Sequence, residues 1–436
     1  MGDMKEHVQS DMTAKDELAT GESQQAESLD STAEEMNMKN WEVITDAEVQ
    51  SIKQALENSS LDSAAERIQN YIDQLDKTVL NIAVTGASGK GKSTFINTIR
   101  GLGDEEEGSA PTGVVETTTK PTEYPYPKYQ NVKLWDLPGI GTENFSADKY
   151  LKEVEFQRYD FFIIISSERF TSYDANLARE IQKMGKHFYF ARSKIDESLR
   201  AEERKKKGNY SETATLDLIR KDCVTGLEKL NVESPRVFLI SSFNPEKYDF
   251  PLMQEEMEKD LPQEKRHAFL LALPNISQSV NQRKKEALQA EIWKVALLSA
   301  AAATVPIPGV GIIVDVTILV KEVSRYYNAF SLDEDSLQRL ANQVNMSVED
   351  LKKVRKSVFN KEITADMITK MLTKVAGGGL MVAGHSLSGI PVLGSIPAGG
   401  IAYWSTSRML WSCLDELAED ARLVLVTAFP AKVTEV

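Results

Sequence analysis

The stretch Gly86-Ala87-Ser88-Gly89-Lys90-Gly91-Lys92-Ser93 matches the pattern G-x4-G-K-[ST], a glycine-rich loop that cradles phosphate groups. It lies between an apolar run that ends at Thr85 and a helix-periodic segment that begins near Thr94. Glycines let successive backbone N–H groups point at phosphate oxygens, and the following helix N-terminus adds partial positive charge. Lys92 would then bridge the β- and γ-phosphates, and the Ser93 hydroxyl would ligate Mg²⁺. The predicted phosphate-binding set is Gly86, Gly89, Lys90, Gly91, Lys92, Ser93 and Thr94.

Two further motifs follow apolar runs later in the chain. Asp136-Leu137-Pro138-Gly139 comes directly after one run, where an aspartate holds the Mg²⁺ shell through water and the Gly139 N–H faces the γ-phosphate. Ser193-Lys194-Ile195-Asp196 follows another run, at the position of the [NT]KxD signature for guanine. A carboxylate there accepts both the N1–H and the exocyclic N2–H of guanine, a pair that adenine does not offer. This pair of contacts favours GTP and GDP over ATP. The predicted base-side set is Lys194, Asp196, Glu197, Ser241 and Ser242.

A loop at Ala110–Lys120 lies where a switch segment would reach Mg²⁺ and the γ-phosphate. Thr117, Thr118 and Thr119 are all candidates for this contact, and we favour Thr118, which gives a predicted metal set of Ser93, Thr118 and Asp136. Ile140 stands where small GTPases carry a glutamine that orients the attacking water. Intrinsic hydrolysis should therefore be slow, with the missing group supplied by another molecule.

Buried apolar runs alternate with helical stretches from Val79 onward, which predicts an α/β fold: a mostly parallel sheet with helices on both faces. After about Asp249 no strand signal returns, so an all-helical domain is expected there. The predicted organisation is an acidic disordered tail over 1–40, N-terminal helices over 41–76 that join the helical domain, a Ras-like P-loop nucleotide-binding domain over 77–252 and a helical domain over 253–436. The predicted strands are Val79–Thr85, Val132–Trp135, Phe161–Ser166, His187–Ala191 and Val237–Ser241.

The charge of the chain is uneven. The 436 residues carry a formal net charge of −14, and ten acids against three lysines in residues 1–40 account for −7 of it. An acidic chain is poorly suited to nucleic acid, because binding depends on neutralising phosphates with Lys and Arg. Cys223 and Cys413 give neither a disulfide framework nor a metal-ligand spacing, which indicates a reducing, intracellular protein.

At these residues the chain resembles the interferon-inducible immunity-related GTPases. The similarity extends beyond the nucleotide motifs, is densest over 77–275 and covers about 41–436. The stretches that carry it are Asn97–Gly108, Thr112–Glu116 (TGVVE), Trp135–Gly141 (WDLPGIG), Tyr159–Ser166 (YDFFIIIS), Tyr248–Pro251 (YDFP) and Lys265–His267 (KRH).

The resemblance implies a dynamin-like GTPase of cell-autonomous immunity, cytoplasmic and peripherally associated with the endoplasmic reticulum, Golgi or pathogen vacuoles. It also implies assembly of two copies through their nucleotide faces, each activating the other, with related GTPases as possible regulators. Glu116 is then the trans-activating candidate, and Lys92, where some members carry Met, places the chain among the effectors. The implied contact residues between copies are Thr112, Gly113, Glu116, Arg169 and Asp174. The alternative is a module that binds GTP and a partner but hydrolyses slowly or not at all.

Two apolar runs could be either core or membrane-inserting segments. Val295–Val320 contains one charged residue, Asp315, and Val375–Ser407 contains none. A spanning helix needs about 20 apolar residues, and Pro and Gly divide both runs into shorter halves. Core helices, a hairpin that dips into one leaflet and a transmembrane pair all remain open at this point.

Overall fold

The computed structural model describes residues 54, 65–70, 77–113, 118–139, 147–168, 170–206, 208–229, 231, 232, 234–301, 305–307, 312–359, 362–378 and 400–430. The predicted tail over 1–40 lies outside these residues. Of the predicted N-terminal helices over 41–76, the described residues 65–70 are helical, and Ile68 among them is fully buried.

A six-stranded sheet forms the centre of the first part of the chain, in the order β2-β3-β1-β4-β5-β6. Every neighbouring pair is parallel except β2 and β3, which are antiparallel. The predicted α/β fold is thus confirmed, and each of the five predicted strands is present. The strands are β1 (Leu80–Thr85), β2 (Thr122–Pro125), β3 (Val132–Asp136), β4 (Phe161–Ser166), β5 (His187–Arg192) and β6 (Val237–Leu239).

The antiparallel strand β2 was not predicted. Its sequence, TEYP, has no apolar alternation and ends in proline, which lacks the N–H that a central strand would donate. Its position at the edge of the sheet, paired only with β3, is the position in which such a sequence is tolerated.

Helices cover both faces of the sheet because successive residues of a strand point to opposite sides. Ile82 and Val84 of β1 pack in one apolar cluster with α1, α6 and α7, whereas Ala83 packs in a second cluster with α2 to α5. These helices are α1 (Lys92–Ile99), α2 (Ala147–Glu153), α3 (Ser172–Lys183), α4 (Ile195–Lys206), α5 (Glu212–Glu228), α6 (Phe250–Asp260) and α7 (Gln263–Ala272).

The rest of the chain is helical around a third apolar cluster, in which the 29-residue α14 packs beside several shorter helices. One part of the prediction of an all-helical domain over 253–436 is wrong: strands β7 (Val305–Ile307) and β8 (Ile312–Val314) pair antiparallel. Pro306, Pro308, Gly309 and Gly311 disfavour helix in this segment of the sequence. The remaining helices are α8 (Gln278–Gln289), α9 (Ile292–Ala301), α10 (Val316–Ala329), α11 (Glu334–Val344), α12 (Val348–Lys353), α13 (Ala365–Gly378) and α14 (Gly400–Ala428).

Much of the first apolar run lies in this helical core. Val295 and Leu297 of α9 and Val316 and Leu319 of α10 are all buried. Among the described helices, none combines the length and the apolar character needed to cross a bilayer. Residues 379–399 of the second run lie outside the described part of the chain.

Two ion pairs join the part of the chain that contains the sheet to helices that come later in the sequence. On α7, Lys265 Nζ lies 2.6 Å from Asp160 Oδ1 at the start of β4, and Arg339 Nε of α11 lies 2.7 Å from Glu106 Oε2. Met253 of α6 and Phe269 of α7 also belong to an apolar cluster of the sheet. These two helices therefore pack on the sheet, and the predicted domain boundary at 252 lies within α6.

Candidate functional site

The predicted motifs meet at one edge of the sheet. They follow β1, β3, β5 and β6, whose carboxyl ends share that edge because these strands run in the same direction. Such an edge is where open α/β sheets bind ligands. A cavity of about 540 Å³ opens there, within the usual size of a small-molecule site. It is lined by Ser88, Gly89, Gly91, Lys92, Ser93, Thr94, Pro111, Thr112, Gly113, Thr118, Gly139, Ser193, Lys194, Asp196, Glu197, Ser242 and Phe243.

The phosphate loop depends on glycine at its first position. Gly86 has φ 140°, and a Cβ there would lie 2.1 Å from the carbonyl oxygen of Ile165 in β4. A side chain would therefore push the loop off the sheet. At the other end Gly91 has φ 91° and immediately precedes α1, so the loop leads directly into the helix N-terminus. This backbone is the shape that presents N–H groups to an anion.

Lys92 is buried beneath the loop. Its ammonium donates to the carbonyl oxygens of Gly86, at 3.2 Å, and Ala87, at 3.3 Å. The side chain also lines the cavity, so the charge is already held at the place where the loop would receive phosphate.

Two hydroxyl groups converge on Asp136. Ser93 Oγ and Thr118 Oγ1 donate to its Oδ2 at 2.7 and 2.8 Å. The second carboxylate oxygen, Oδ1, is buried and has no hydrogen-bond partner. Burial raises the pKa of Asp136, opposed by the Ser93 hydrogen bond, the Lys92 charge and the Thr118 hydrogen bond. Hydroxyl and carboxylate oxygens are the ligands that Mg²⁺ prefers, and a cation here would satisfy the unpartnered oxygen. The residues present therefore fit a magnesium ion.

The base-side motif is tied to the phosphate loop. Ser193 Oγ donates to the carbonyl oxygen of Lys90 at 2.8 Å, and the Ile195 N–H donates to Ile240 O beyond β6 at 3.2 Å. Lys194 Nζ lies 3.5 Å from Gly89 O, so its side chain extends toward the phosphate loop. Asp196 is 8% exposed in the first turn of α4, where it lines the cavity.

Four of the predicted nucleotide-binding residues do not line the cavity. Gly86 shapes the loop, Asp136 lies behind Ser93, and Ser241 is fully buried beside Ser242. Lys90 Nζ is turned toward Glu168, at 3.1 Å from its Oε2. The sequence did not single out Ser88, Pro111, Ser193 or Phe243 as site residues, although Ser88 and Ser193 lie inside the quoted motifs.

Asp174 is unsuited to the predicted direct contact with a second copy. It is 5% exposed, and its Oδ2 accepts from the Thr171 N–H, the Thr171 hydroxyl and the Ser166 hydroxyl. The carboxylate caps α3 and faces inward, and burial raises its pKa. Thr112 and Gly113 are exposed at the cavity rim, whereas Glu116 and Arg169 lie outside the described residues.

Known proteins resemble the chain over most of its length. The interferon-inducible GTPase (IIGP) family model matches residues 45–427. Interferon-inducible GTPase 5 of Bos taurus is 43% identical over 381 residues, covering 87% of this chain and 82% of the relative. Interferon-inducible GTPase 5 of Rattus norvegicus is 41% identical over 388 residues, covering 89% and 84%. Interferon-gamma-inducible GTPase 10 of Mus musculus is 39% identical over 388 residues, covering 88% and 89%.

The family resemblance inferred from the nucleotide motifs is thereby confirmed. The site contains a phosphate loop, a magnesium-compatible Ser–Thr–Asp group and the buried Asp196, all at one sheet edge. The chain belongs to the interferon-inducible GTPase family and is a GTPase.

Proposed function

We propose that the protein is a Mg²⁺-dependent GTP hydrolase. The observation that carries this proposal is the convergence of Ser93 and Thr118 on Asp136, with one buried carboxylate oxygen left unpartnered. When bound, Mg²⁺ would neutralise charge on the β- and γ-phosphates. Lys92 would stabilise the charge that develops on the transferred phosphoryl group, and the Gly139 N–H would orient it. Asp196 would select guanine.

Hydrolysis is proposed to be activated in trans by a second copy. Gly139 is followed by Ile140, which cannot orient the attacking water as a glutamine does. The cavity rim supports this proposal, since Thr112 and Gly113 are exposed there, a few residues before Glu116. Two nucleotide faces in contact would bring Glu116 of one copy toward the site of the other.

Specific activity is accordingly expected to rise with protein concentration, because the active species is a dimer or larger assembly. Initial rates of phosphate release should be measured from low to high micromolar protein at saturating GTP and Mg²⁺. Glu116→Ala is expected to flatten the rise. Asp217→Ala, which removes an exposed acid on α5 that does not line the cavity, should leave the rise intact.

A flat dependence for the unaltered protein would reject activation in trans. The alternative, a GTP-dependent module with negligible turnover, is tested by mixing GTP with excess protein. GTP that stays intact under these conditions would favour the module, whereas its conversion to GDP in a single turnover supports the enzyme.

We further propose a cytoplasmic protein that docks peripherally on an intracellular membrane of the endoplasmic reticulum, Golgi or a pathogen vacuole, with related GTPases as possible regulators. The net charge of −14 disfavours docking on anionic lipid through basic charge. Described residues of both apolar runs are buried, among them Val295 and Leu319 of the first and Tyr403 and Thr406 of the second. The remaining stretch of the second run, 379–399, is the candidate for the membrane-contacting segment because it contains no Asp, Glu, Lys or Arg.

Flotation with neutral vesicles tests this docking. The protein is expected to float with vesicles in GTP more than in GDP, and Val392→Asp should reduce flotation by placing a charge in the apolar run. Val316→Asp is not a usable companion variant, because Val316 is 6% exposed in the helical core and a charge there would unfold it. Equal flotation of the Val392→Asp variant would exclude this segment.

A further inference from the structure

Phe243 is an exposed aromatic side chain at the nucleotide cavity. Of the large apolar side chains that are exposed in the described part of the chain, it is the most exposed, at 69%, and it lines the nucleotide cavity. A single exposed apolar residue is ordinary and by itself indicates nothing. Among the described residues that line the cavity, however, Phe243 is the only aromatic one.

The loop that carries Phe243 is held in a fixed turn. The Ser242 carbonyl accepts from Thr98 Oγ1 of α1 at 3.0 Å, and Asn244 Nδ2 donates to Ser241 Oγ at 3.2 Å. Ser241 beneath the turn is fully buried. Hydrogen bonds therefore anchor the residues on both sides of Phe243, and this turn places Phe243 at the edge of the cavity.

Sheet topology places this turn beside the guanine motif. Asp196 follows β5 and Phe243 follows β6, and these neighbouring strands end at the same edge. The phosphate loop follows β1, two strand positions from β5, or about 10 Å at the usual spacing of strands. A nucleotide whose phosphates occupy the loop would thus extend its base toward β5 and β6.

The groups already assigned at this end account for the edge of a base and for one of its two faces. The Asp196 carboxylate can accept from N1–H and N2–H, and the Lys194 side chain, extended toward Gly89, can cover one face with its methylene groups. The other flat face of a purine is a π surface whose favourable neighbours are aromatic rings. Stacking of a base on an aromatic side chain is tolerant of base identity and typically strengthens binding several-fold or more.

We propose that Phe243 is a base-contacting residue whose ring stacks on the purine of the bound nucleotide, across the base from Lys194. This inference rests on the proposed guanine-nucleotide site and adds to it the residue that supplies affinity without selecting the base. Affinity and base selection can therefore be measured separately, because hydrogen bonds to the edge of a base distinguish one base from another, whereas stacking on its face does not.

Phe243→Ala is expected to weaken binding of GDP and of inosine diphosphate by the same factor, about tenfold. The ratio of the two affinities should stay at its original value, because Asp196 still reads the base edge. Both affinities should be measured by titration calorimetry at low micromolar full-length protein with Mg²⁺. Phe243→Tyr keeps the ring and should bind within about twofold of the original affinity. Leu252→Ala, at another exposed apolar residue, should bind as the unaltered protein does.

A spectroscopic variant reports the contact itself. Phe243→Trp should retain affinity, and its added indole fluorescence should be quenched when GDP binds, after subtraction of the signal from the unaltered protein. Absence of GDP binding to the unaltered protein would refute the proposed site as a whole. Normal GDP binding with unchanged affinity in Phe243→Ala would refute the stacking role alone. A variant that lost only concentration-dependent hydrolysis would also overturn it, since the ring would then serve a contact between copies.

Discussion

Lys92→Ala is expected to weaken GTP binding by about 100-fold, or about 2.7 kcal/mol, while leaving the fold intact. The ammonium is held in the loop by the carbonyls of Gly86 and Ala87, at the point where phosphate charge would lie. Removing it takes away a charge-assisted hydrogen bond to the ligand. Because the side chain lines an open cavity, water can reach the two carbonyls in the variant, and we expect little change in thermal unfolding.

Titration calorimetry with GTP measures the loss, and circular dichroism measures unfolding. The matched control is Lys90→Ala, in the same loop, whose ammonium lies 3.1 Å from the exposed Glu168 carboxylate. Lys90 belongs to the predicted phosphate-binding set, but its ammonium is turned toward Glu168 and its side chain does not line the cavity, so this variant should keep most of its GTP affinity. Unaltered GTP binding by Lys92→Ala would overturn the assignment of the loop.

Asp196→Asn is expected to lower GTP affinity by about 100-fold and to raise the affinity for xanthosine triphosphate. The carboxylate accepts from two N–H groups of guanine, whereas an amide can accept from one and must present its own N–H₂ to the other. Xanthine has a carbonyl at that second position and so matches the amide. The residue is 8% exposed, and its Oδ2 is 4.0 Å from Arg200, which leaves the carboxylate available to a base.

Competition between GTP and xanthosine triphosphate for the site gives the selectivity of each variant directly. Glu203→Gln is the matched control, since it neutralises an exposed acid on the same helix, α4, without lining the cavity. It should bind both nucleotides as the unaltered protein does. A preference for GTP that survives Asp196→Asn would remove Asp196 from base recognition.

The sheet and the phosphate site were predictable because both are encoded locally. Apolar runs such as Phe161–Ser166 are short and β-branched or aromatic, which favours strands buried on both faces, and the glycine loop binds phosphate when it follows a strand and precedes a helix. The choice of Thr118 for the metal group agrees with its hydrogen bond to Asp136, although neighbouring Thr117 lies outside the described residues. Motif spacing thus predicted which residues would share an edge of the sheet.

The features that could not be predicted from the sequence depend on contacts between segments that are far apart in the chain. Strand β2 forms only because β3 offers it a partner, and the β7–β8 pair forms in the segment after α9 that contains proline and glycine. The family resemblance implies that Asp174 contacts a second copy, yet its carboxylate accepts from Thr171 and Ser166 within a helix cap. Phe243 carries no motif, and only the turn anchored by Thr98 brings its ring to the cavity.

The most direct test of the central claim combines light scattering with GTP hydrolysis in the same samples. The full-length protein should be measured over a concentration series with GTP, with GDP and without nucleotide, in the presence of Mg²⁺. We expect scattering to increase only with GTP, and specific activity to rise over the same range of protein concentration. Equal scattering in all three conditions together with constant specific activity would contradict GTP-driven assembly and activation between copies.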